Sequence, residues 1–359
     1  MPKKYYQTIL TMKKLLCCLL ALVLAFALCS CADTNKPRRF SSTFFDLFDT
    51  VSTVTAYDMN KKIFDTNLDQ LHQRLEEYHK LYDIYNSYEG LVNINTLNYE
   101  AGKAPVTVDE KIIDLLEFGK EVYELSGGKT NICFGAVLSI WHQYRAQAEN
   151  APEAARLPDM AELEAAAEHT DINDLVIDRE SSTVFFADPQ LKLDVGAIAK
   201  GYAVSEVCKW AQENLWSSAI VNIGGNVCTF GYKNADGATL WNIGIENPEQ
   251  NADGYLETVT LTDLSVVTSG DYQRYYTVDG KRYCHIIDPD TLMPAEYVSA
   301  VSVICEDSAL GDALSTSLFN MPIEQGMKLV EDMQGVEAIW TDKGYNTYYS
   351  SAFESYIIN

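Results

Sequence analysis

The chain has 359 residues and a formal net charge of −24 at pH 7, with 51 acidic and 27 basic side chains. Such acidity argues against nucleic acid or an anionic lipid surface as a binding partner. The length allows one or two domains with a large core. The five cysteines that follow residue 31 show no CxxC or CxxH spacing, so neither a disulfide framework nor a zinc site is supported and we expect small core residues.

Residues 1–30 have the composition of an export signal. Two lysines precede an apolar run over residues 15–28, which is too short for a transmembrane helix. The run ends in the sequence LCSC, which resembles a bacterial lipobox and predicts lipidation of Cys31. A plain secretory signal cleaved nearby is the alternative. We therefore expect a protein on the extracytoplasmic face of the cell membrane, held there only by its lipid anchor.

The rest of the chain is predicted to form a tether and a folded part. Residues 31–42 are polar and lack periodicity, which is typical of a flexible tether. The folded domain is expected over residues 43–359. Within it, residues 146–172 are rich in Ala, Glu and Pro and carry an alanine-rich helix, which indicates an insertion on the surface.

The first half of that domain is predicted to be largely helical after an opening strand over residues 44–57. Apolar residues recur at spacings of three and four over 61–82 and again over 109–125, which predicts two amphipathic helices. Tyr85 and Tyr88 lie in the loop region between them. This tyrosine pair is either surface packing or a stacking platform for an aromatic ligand.

From residue 175 onward the pattern changes to short strands separated by turns. Strands flanked by helices, without strict alternation of the two, predict an α+β fold with a mostly antiparallel sheet. The predicted strands cover residues 175–178, 183–187, 219–223, 241–246, 256–261, 266–268, 283–287, 300–305, 336–341 and 345–350, and the predicted helices cover 197–210, 312–320 and 323–333.

The stretch LKLDVGAIAKGY, residues 191–202, couples a predicted strand over 191–195 to a helix through Gly196. A helix start presents unbonded N–H groups and the positive end of the helix dipole, which suits a phosphate. Lys200 could reach the same anion, whereas Asp194 would repel it and needs another partner. An ordinary strand-to-helix connection with a solvated lysine is the alternative.

Three further groups of residues could take part in chemistry. Asp312 and Thr316 are four apart on a predicted helix, so their oxygens share one face and suit Mg²⁺ bound together with substrate phosphates; an acidic residue that merely favours the helix dipole is the alternative. His285 ends a predicted strand and could be a general base or a packed residue. The turn at Ser269 and Gly270 could bring backbone N–H groups close to a ligand.

Taken together and in this order, the motifs resemble the ApbE family, the FAD-dependent FMN transferases that flavinylate proteins. Many members carry Met-Gly-Thr where this chain has Phe48-Asp49-Thr50, and a glycine where it has Leu292. The resemblance implies a two-part α+β fold related to tunnelling-fold sheets. The stretches that carry it span residues 48–316 and read FDTVSTVTAY, IYNSYEGLVNIN, GGKTNICFGAVLSIW, LDVGAIAKGYAV, VNIGGN, TSGDYQRYY, HIIDP and DALST.

The resemblance also implies roles for individual residues. Tyr88 would pack against the flavin, and Asp194 and Lys200 would hold polar parts of FAD. The implied ligands of Mg²⁺ are the carbonyl of Ala197 together with Asp312, Ser315 and Thr316. The other implied contacts of FAD are Lys129, Thr130, Asn131, Gly224, Gly225, Ser269, Gly270, His285 and Ile286.

The implied reaction is transfer of FMN from FAD to a Thr or Ser hydroxyl of an acceptor flavoprotein domain, which releases AMP. Mg²⁺ would neutralise charge on the pyrophosphate oxygens. His285 is favoured over Asp312 as the base, because a metal-bound carboxylate is a poorer base. The alternatives are a Mg²⁺-dependent FAD pyrophosphatase, in which water is the nucleophile, and a non-catalytic flavin-binding lipoprotein.

Overall fold

A large antiparallel sheet forms the centre of the computed structural model, which describes residues 36–233, 239–249, 252 and 254–358. In chain order the strands of the described residues are β1 (Arg38–Phe44), β2 (Ser52–Asp58), β3 (Val106–Thr107), β4 (Leu175–Asp178), β5 (Thr183–Phe186), β6 (Ala219–Ile223), β7 (Asn226–Phe230), β8 (Trp241–Glu246), β9 (Tyr255–Leu261), β10 (Ser265–Gly270), β11 (Tyr275–Val278), β12 (Lys281–Cys284), β13 (Val298–Cys305), β14 (Glu337–Asp342) and β15 (Thr347–Tyr349).

The α-helices of the same residues are α1 (Lys61–Tyr82), α2 (Ile94–Tyr99), α3 (Glu110–Leu125), α4 (Gly135–Asn150), α5 (Met160–Ala167), α6 (Ala199–Asn214), α7 (Ser308–Phe319) and α8 (Ile323–Glu331). The largest sheet has the strand order β1-β2-β6-β7-β10-β13-β14-β15, and its neighbouring strands are all antiparallel. Smaller sheets pair β11 with β12, β8 with β9, and β3 with β5 and β4. The predicted α+β class with mostly antiparallel sheets is confirmed.

Strand β1 corrects the predicted start of the domain. The last residues of the predicted tether, residues 31–42, belong to this strand, in which Arg38 pairs with Asp58 and Ser42 pairs with Val54. An edge strand with one solvated face needs few apolar side chains, so its polar sequence resembles a linker. The predicted single strand over 44–57 is also interrupted by a turn before β2. Cys31 and the predicted export signal lie outside the described residues.

The stretch 191–195 is extended, but it belongs to none of the sheets. Leu191, Leu193 and Val195 are buried, as their alternation predicts. The backbone partners of the stretch lie outside the sheets: the Leu193 N–H donates to Asn98 Oδ1 of α2 at 2.7 Å, the Asp194 N–H donates to the Ile132 carbonyl at 2.8 Å, and Lys192 forms an isolated bridge to Phe134. The alternation of apolar and polar residues shows which side chains are buried, but it does not show which partners the backbone groups have. The strand prediction for residues 191–195 was wrong for this reason.

The predicted insertion packs against the end of α4. Helix α5 is the alanine-rich helix that the sequence predicts, and its Leu163 is buried in a cluster with Trp141 and Tyr144 of α4. The Tyr144 hydroxyl donates to Glu162 Oε2 at 3.2 Å. The five cysteines after residue 31 are free and buried, as expected of small core residues. Within the described residues, no helix has both the length and the apolarity to cross a membrane.

Helices α6 and α7 touch at a glycine, and this contact positions the candidate site. A Cβ atom at Gly201 would lie 2.3 Å from the Ser308 carbonyl oxygen and 2.4 Å from the Asp312 Cβ. Any side chain here would therefore push the two helices apart. The close approach brings the carboxylate of Asp312 to the first turn of α6.

Candidate active site

One cavity of about 920 Å³ gathers most of the predicted site residues. Ligand sites commonly span about 300–1,000 Å³, so this cavity has room for a large, extended ligand. The loops and strand ends that form it come from both halves of the chain. The predicted residues that line it are Lys129, Thr130, Asn131, Asp194, Ala197, Lys200, Gly224, Gly225, Ser269, Gly270, His285, Ile286, Asp312 and Thr316.

Two predicted site residues do not line the cavity. Tyr88 is half-buried, and its hydroxyl donates to Asp83 Oδ2 at 2.7 Å. Burial and this hydrogen bond raise the pKa of Tyr88 to about 12. The neighbouring Tyr85 does line the cavity. Ser315 of α7 is fully buried against β10. Its hydroxyl lies 2.8 Å from Ser269 Oγ and donates to the Asp312 carbonyl at 3.0 Å.

Asp312 is buried, and in the described residues its carboxylate contacts only the start of α6. Its Oδ2 accepts the backbone N–H of Gly201 at 2.8 Å, and both carboxylate oxygens lie 3.3 Å from Lys200 Nζ. One of the N–H groups that the sequence assigned to a phosphate is therefore used by a carboxylate. Lys200 balances the charge of Asp312 at the wall of the cavity.

Asp194 contacts a backbone N–H and a histidine ring. Its Oδ1 accepts the backbone N–H of Gly196 at 2.9 Å, and its Oδ2 lies 3.7 Å from Nε2 of His142. His142 projects from α4, and its Nδ1 is 3.2 Å from the Tyr85 hydroxyl. Burial lowers the pKa of His142, although the negative charge of Asp194 opposes this. The His142 ring thus links the tyrosine loop to the segment before α6.

His285 is held by the carbonyl of Arg274. This oxygen accepts the backbone N–H of His285 at 3.0 Å and lies 3.1 Å from its Nδ1. A carbonyl only accepts, so Nδ1 carries the proton and the neutral ring keeps Nε2 as its unprotonated nitrogen. Burial of the ring, with Arg274 and Arg145 nearby, lowers the pKa of His285 to about 3. His285 is therefore neutral at physiological pH.

Four cationic side chains line the cavity: Lys129, Arg145, Lys200 and Arg274. Lys129 pairs with Asp288 at 3.0 Å and with Asp290 at 2.7 Å. Arg274 forms no ion pair within the part of the chain that the structure describes, and its guanidinium donates only to the Asp49 carbonyl at 3.2 Å. An arginine that lines a cavity and has no carboxylate partner is well suited to bind a phosphate group.

From the sequence, no roles were assigned to His142, Arg145 or Arg274, and Tyr85 was named only as a member of the tyrosine pair. Arg274 lies within the matching stretch TSGDYQRYY and His142 follows GGKTNICFGAVLSIW, so nearness to a matching motif was the available signal. Arg145 follows His142 on α4, and only the packing of that helix against the cavity reveals it. Tyr85 shares its loop with Tyr88, and sequence could not say which ring faces the ligand.

The oxygens of the cavity fit a hard divalent cation. No group of three or more His, Cys, Asp or Glu side chains in the described ranges is arranged to hold a metal ion. Asp312, Thr316 and Ala197 line the same cavity and offer carboxylate, hydroxyl and carbonyl oxygens. Mg²⁺ commonly takes only one or two carboxylates and completes its shell with water and substrate phosphates. The donor set is therefore compatible with Mg²⁺ bound together with a phosphate ligand.

Comparison with known proteins identifies the family. The sequence pattern that describes the ApbE family matches residues 48–340, which is most of the chain. The chain belongs to the ApbE family. The resemblance found in the sequence is thereby confirmed, and with it the expectation of a transferase of this family.

Relatives of this ApbE-family chain cover most of its length. The FAD:protein FMN transferase of Treponema pallidum (strain Nichols) is 31% identical over 340 residues, which are 89% of each chain. That of Klebsiella pneumoniae (strain 342) is 30% identical over 284 residues, 76% of this chain and 84% of the relative. The crystal structure of the ApbE protein from Thermotoga maritima superposes with a TM-score of 0.78 at 27% identity, over 90% of this chain and 100% of that one.

The two positions at which many family members carry glycine, Asp49 and Leu292, share an unusual backbone. Asp49 has φ = 50° and Leu292 has φ = 60°, both in the left-handed region that glycine adopts most readily. Asp49 and Leu292 therefore have the backbone conformation that glycine adopts most readily. Asp49 lines the cavity beside Arg274, and the Leu292 carbonyl accepts the indole N–H of Trp141 at 3.0 Å.

Proposed function

We propose that this chain transfers FMN from FAD to a Thr or Ser hydroxyl of an acceptor flavoprotein, in a Mg²⁺-dependent reaction that releases AMP. The observation that supports this most is the convergence of three groups in one cavity: the Lys200–Asp312 pair, the neutral ring of His285, and Arg274 without a carboxylate partner. The names of the ApbE-family relatives supply the identities of donor and acceptor.

In the proposed step, the acceptor hydroxyl oxygen forms a bond to the phosphorus of the FMN half, and the anhydride bond to AMP breaks. The hydroxyl proton passes to Nε2 of His285, whose ring is oriented by the bond from Nδ1 to the Arg274 carbonyl. The pKa of about 3 describes the cavity without an anion. A pyrophosphate beside the ring favours the imidazolium and raises this pKa, which makes Nε2 a better base once FAD is bound.

The other cavity residues would stabilise the charge on the pyrophosphate. Arg274 and Lys200, which both line the cavity, would place positive charge beside an anion. Mg²⁺, when held by Asp312, Thr316 and the Ala197 carbonyl, supplies further charge neutralisation on the phosphate oxygens. Ser315 would contribute by holding the Asp312 carbonyl rather than through its own exposure. The flavin ring would pack against the loop that carries Tyr85 and Tyr88.

We also propose that the protein acts outside the cytoplasmic membrane. The support is the export signal over residues 1–30 and the lipobox-like sequence that ends in Cys31. The polar residues after Cys31 would let the domain reach exposed flavoprotein domains, such as those of membrane redox pumps. Growth with labelled palmitate, followed by mass analysis of wild type and Cys31→Ala, tests the anchor.

The reaction itself is tested by following both products. The protein is incubated with FAD and Mg²⁺, with and without an acceptor domain, and AMP is measured beside the intact mass of the acceptor. AMP that forms only with acceptor, in equal amount to an acceptor heavier by one FMN, supports the transferase. Rapid release of AMP without acceptor, and no covalent FMN, would instead establish a pyrophosphatase. EDTA should stop the reaction in either case.

His285→Asn tests whether His285 is the base of the reaction. The amide keeps a similar size but cannot accept the hydroxyl proton, so transfer to the acceptor should fall by about 10²–10⁴-fold. The affinity for FAD, measured by flavin fluorescence, should change little. Unchanged transfer by this variant would remove His285 from the proposed mechanism.

A further inference from the structure

Strand β8 has one edge that pairs with nothing in the ranges the structure describes. The strand is antiparallel to β9, and these two form a sheet of their own. The outer edge of β9 is covered by the end of the chain, where Val259 bridges to Ile357 and the Ile358 N–H donates to the Thr258 carbonyl at 3.0 Å. Within residues 36–233, 239–249, 252 and 254–358, no backbone hydrogen bond reaches the corresponding outer edge of β8.

The register shows which groups of β8 are free. Thr258 directs its carbonyl to Ile358, away from β8, so it occupies a non-hydrogen-bonded position in the β8–β9 pair. Its partner in register is Gly244. In such a position both residues turn their backbone groups outward, so the N–H and C=O of Gly244 point away from β9. Two residues earlier, Asn242 pairs with Thr260 and has the same orientation.

This free edge lies at the candidate active site. Ile243, Gly244 and Glu246 of β8 line the same cavity as His285 and Asp312. Asn242, Gly244 and Glu246 are exposed. Proteins usually protect an open strand edge with lysine, proline, a bulge or a covering segment. Among the residues the structure describes, none of these protects Asn242 or Gly244, although the register shifts between Ile245 and Glu246 and β9 of the same hairpin is covered.

We propose that an extended segment of the acceptor protein pairs with the free edge of β8, as an added strand that carries the reactive hydroxyl into the cavity. This inference rests on the proposed function, which requires a side-chain hydroxyl of a protein to reach the cavity. An open strand edge recognises backbone and not a particular side chain, so it suits a peptide segment. Hydrogen bonds to Gly244 and Asn242 fix its register, and every second side chain then faces one side.

The test removes a donor from the free edge without disturbing the β8–β9 pair. Gly244→Pro loses the outward N–H, and a proline is tolerated where an edge N–H faces away from its neighbour. The matched control is Gly244→Ala, which keeps the N–H. Its Cβ would lie 2.6 Å from the ring of Tyr255, which is 68% exposed and free to move. Asn242→Pro and Asn242→Ala form a second pair in case Gly244→Pro does not fold.

The assay uses an acceptor domain that the wild type modifies with FMN. We expect the proline variants to raise KM for the acceptor by about tenfold or more, as the loss of backbone hydrogen bonds to a docked strand predicts. The Asn242→Ala control should keep the wild-type KM, and both Asn242 variants, at a position that does not line the cavity, should keep the wild-type affinity for FAD. An unchanged KM in a folded proline variant, or an equal loss in both members of a pair, would overturn strand addition.

A second measurement changes the other partner. Short peptides that span the modified hydroxyl are N-methylated at successive backbone positions and used as competitors of the acceptor domain. Because only alternate residues of an added strand bond to β8, inhibition should be lost at every second position. Uniform inhibition across the series would contradict the proposal. If the wild type modifies no acceptor at all, the proposed function itself fails and the docking edge is not the cause.

Discussion

Lys129 and Lys200 both line the cavity and each pairs with a buried aspartate, but only one of the two aspartates, Asp312, lines the cavity itself. Asp288 is buried and accepts from Lys129 at 3.0 Å, from the Tyr297 hydroxyl at 3.2 Å and from the Asp290 N–H at 3.1 Å. Asp312 is equally buried, but its two oxygens share Lys200 at the longer distance of 3.3 Å. Its other recorded partner is one backbone N–H.

The difference distinguishes a structural clamp from a binding site. The Lys129 pair joins the loop after α3 to the loop that follows His285, and its aspartate, Asp288, is not among the residues that line the cavity. The Lys200 pair leaves Asp312 at the cavity wall, and in the proposed reaction a metal ion would replace Lys200 as the counter-charge of Asp312. A buried carboxylate needs a partner of opposite charge or a hydrogen-bond donor. Whether a ligand can replace that partner depends on whether the carboxylate faces the cavity.

Asp312→Ala should have the largest effect on activity. Removing the one carboxylate proposed to hold Mg²⁺ should lower transfer by about 10³-fold, because the charge on the pyrophosphate loses its main stabilisation. The fold should persist, since the contacts of Asp312 are confined to the start of α6. Product formation by intact mass and thermal unfolding by circular dichroism check the two statements. A variant with normal Mg²⁺-dependent turnover would make Asp312 a structural residue like Asp288.

Asp288→Asn should instead act on stability. It leaves Lys129 with only the exposed Asp290 as a carboxylate partner, and breaking a buried ion pair typically costs about 3–5 kcal/mol. We expect a loss near the lower end, measured as the free energy of unfolding in urea. Asp290→Asn is the matched control and should cost less than about 1 kcal/mol, because this side chain is 74% exposed. Similar losses for both variants would argue against the clamp.

Lys200→Met tests whether Lys200 competes with Mg²⁺ for the Asp312 carboxylate. Without the lysine, the buried Asp312 carboxylate lacks a cation, so Mg²⁺ should bind about tenfold more tightly in the absence of FAD, a change of about 1.4 kcal/mol. Isothermal titration with MgCl₂ measures this directly. Lys129→Met should destabilise the protein and leave the affinity for Mg²⁺ unchanged. Weaker binding of Mg²⁺ to Lys200→Met would show that Lys200 does not compete for Asp312.

The smallest expected effect is a pH dependence of the clamp. Burial opposes the charge of Lys129, but Asp290 and Asp288 raise its pKa above the ordinary value. A raised pKa in the folded state gives stability that is fully present below the unfolded pKa and is lost as the pH rises through the folded pKa. The difference in unfolding free energy between wild type and Lys129→Met should thus be equal at pH 7 and 9, and smaller above about pH 10.5. A difference that already falls by pH 9 would exclude this linkage.

Much of the secondary structure was predictable because it depends on local periodicity. The apolar repeat over 61–82 matches α1, and the alternation over 241–246 matches β8. The sequence predicted only a loop region between α1 and α3, so helix α2 was missed. Asn93 and Thr96 cap each other at its start, and this capping box is not marked by an apolar repeat. The site residues were found by motif order, and most of them do line one cavity.

By itself the sequence determined the helices and strands with strong periodicity, the family, and the residue types available for chemistry. Only the tertiary structure decided that β1 is a strand, that 191–195 is not, and that Tyr85 rather than Tyr88 lines the cavity. It also decided that the Arg274 carbonyl leaves Nε2 of His285 unprotonated. The physical reason is that side-chain burial repeats along the chain, whereas the partner of a backbone group, a carboxylate or an imidazole is supplied by residues far away in sequence.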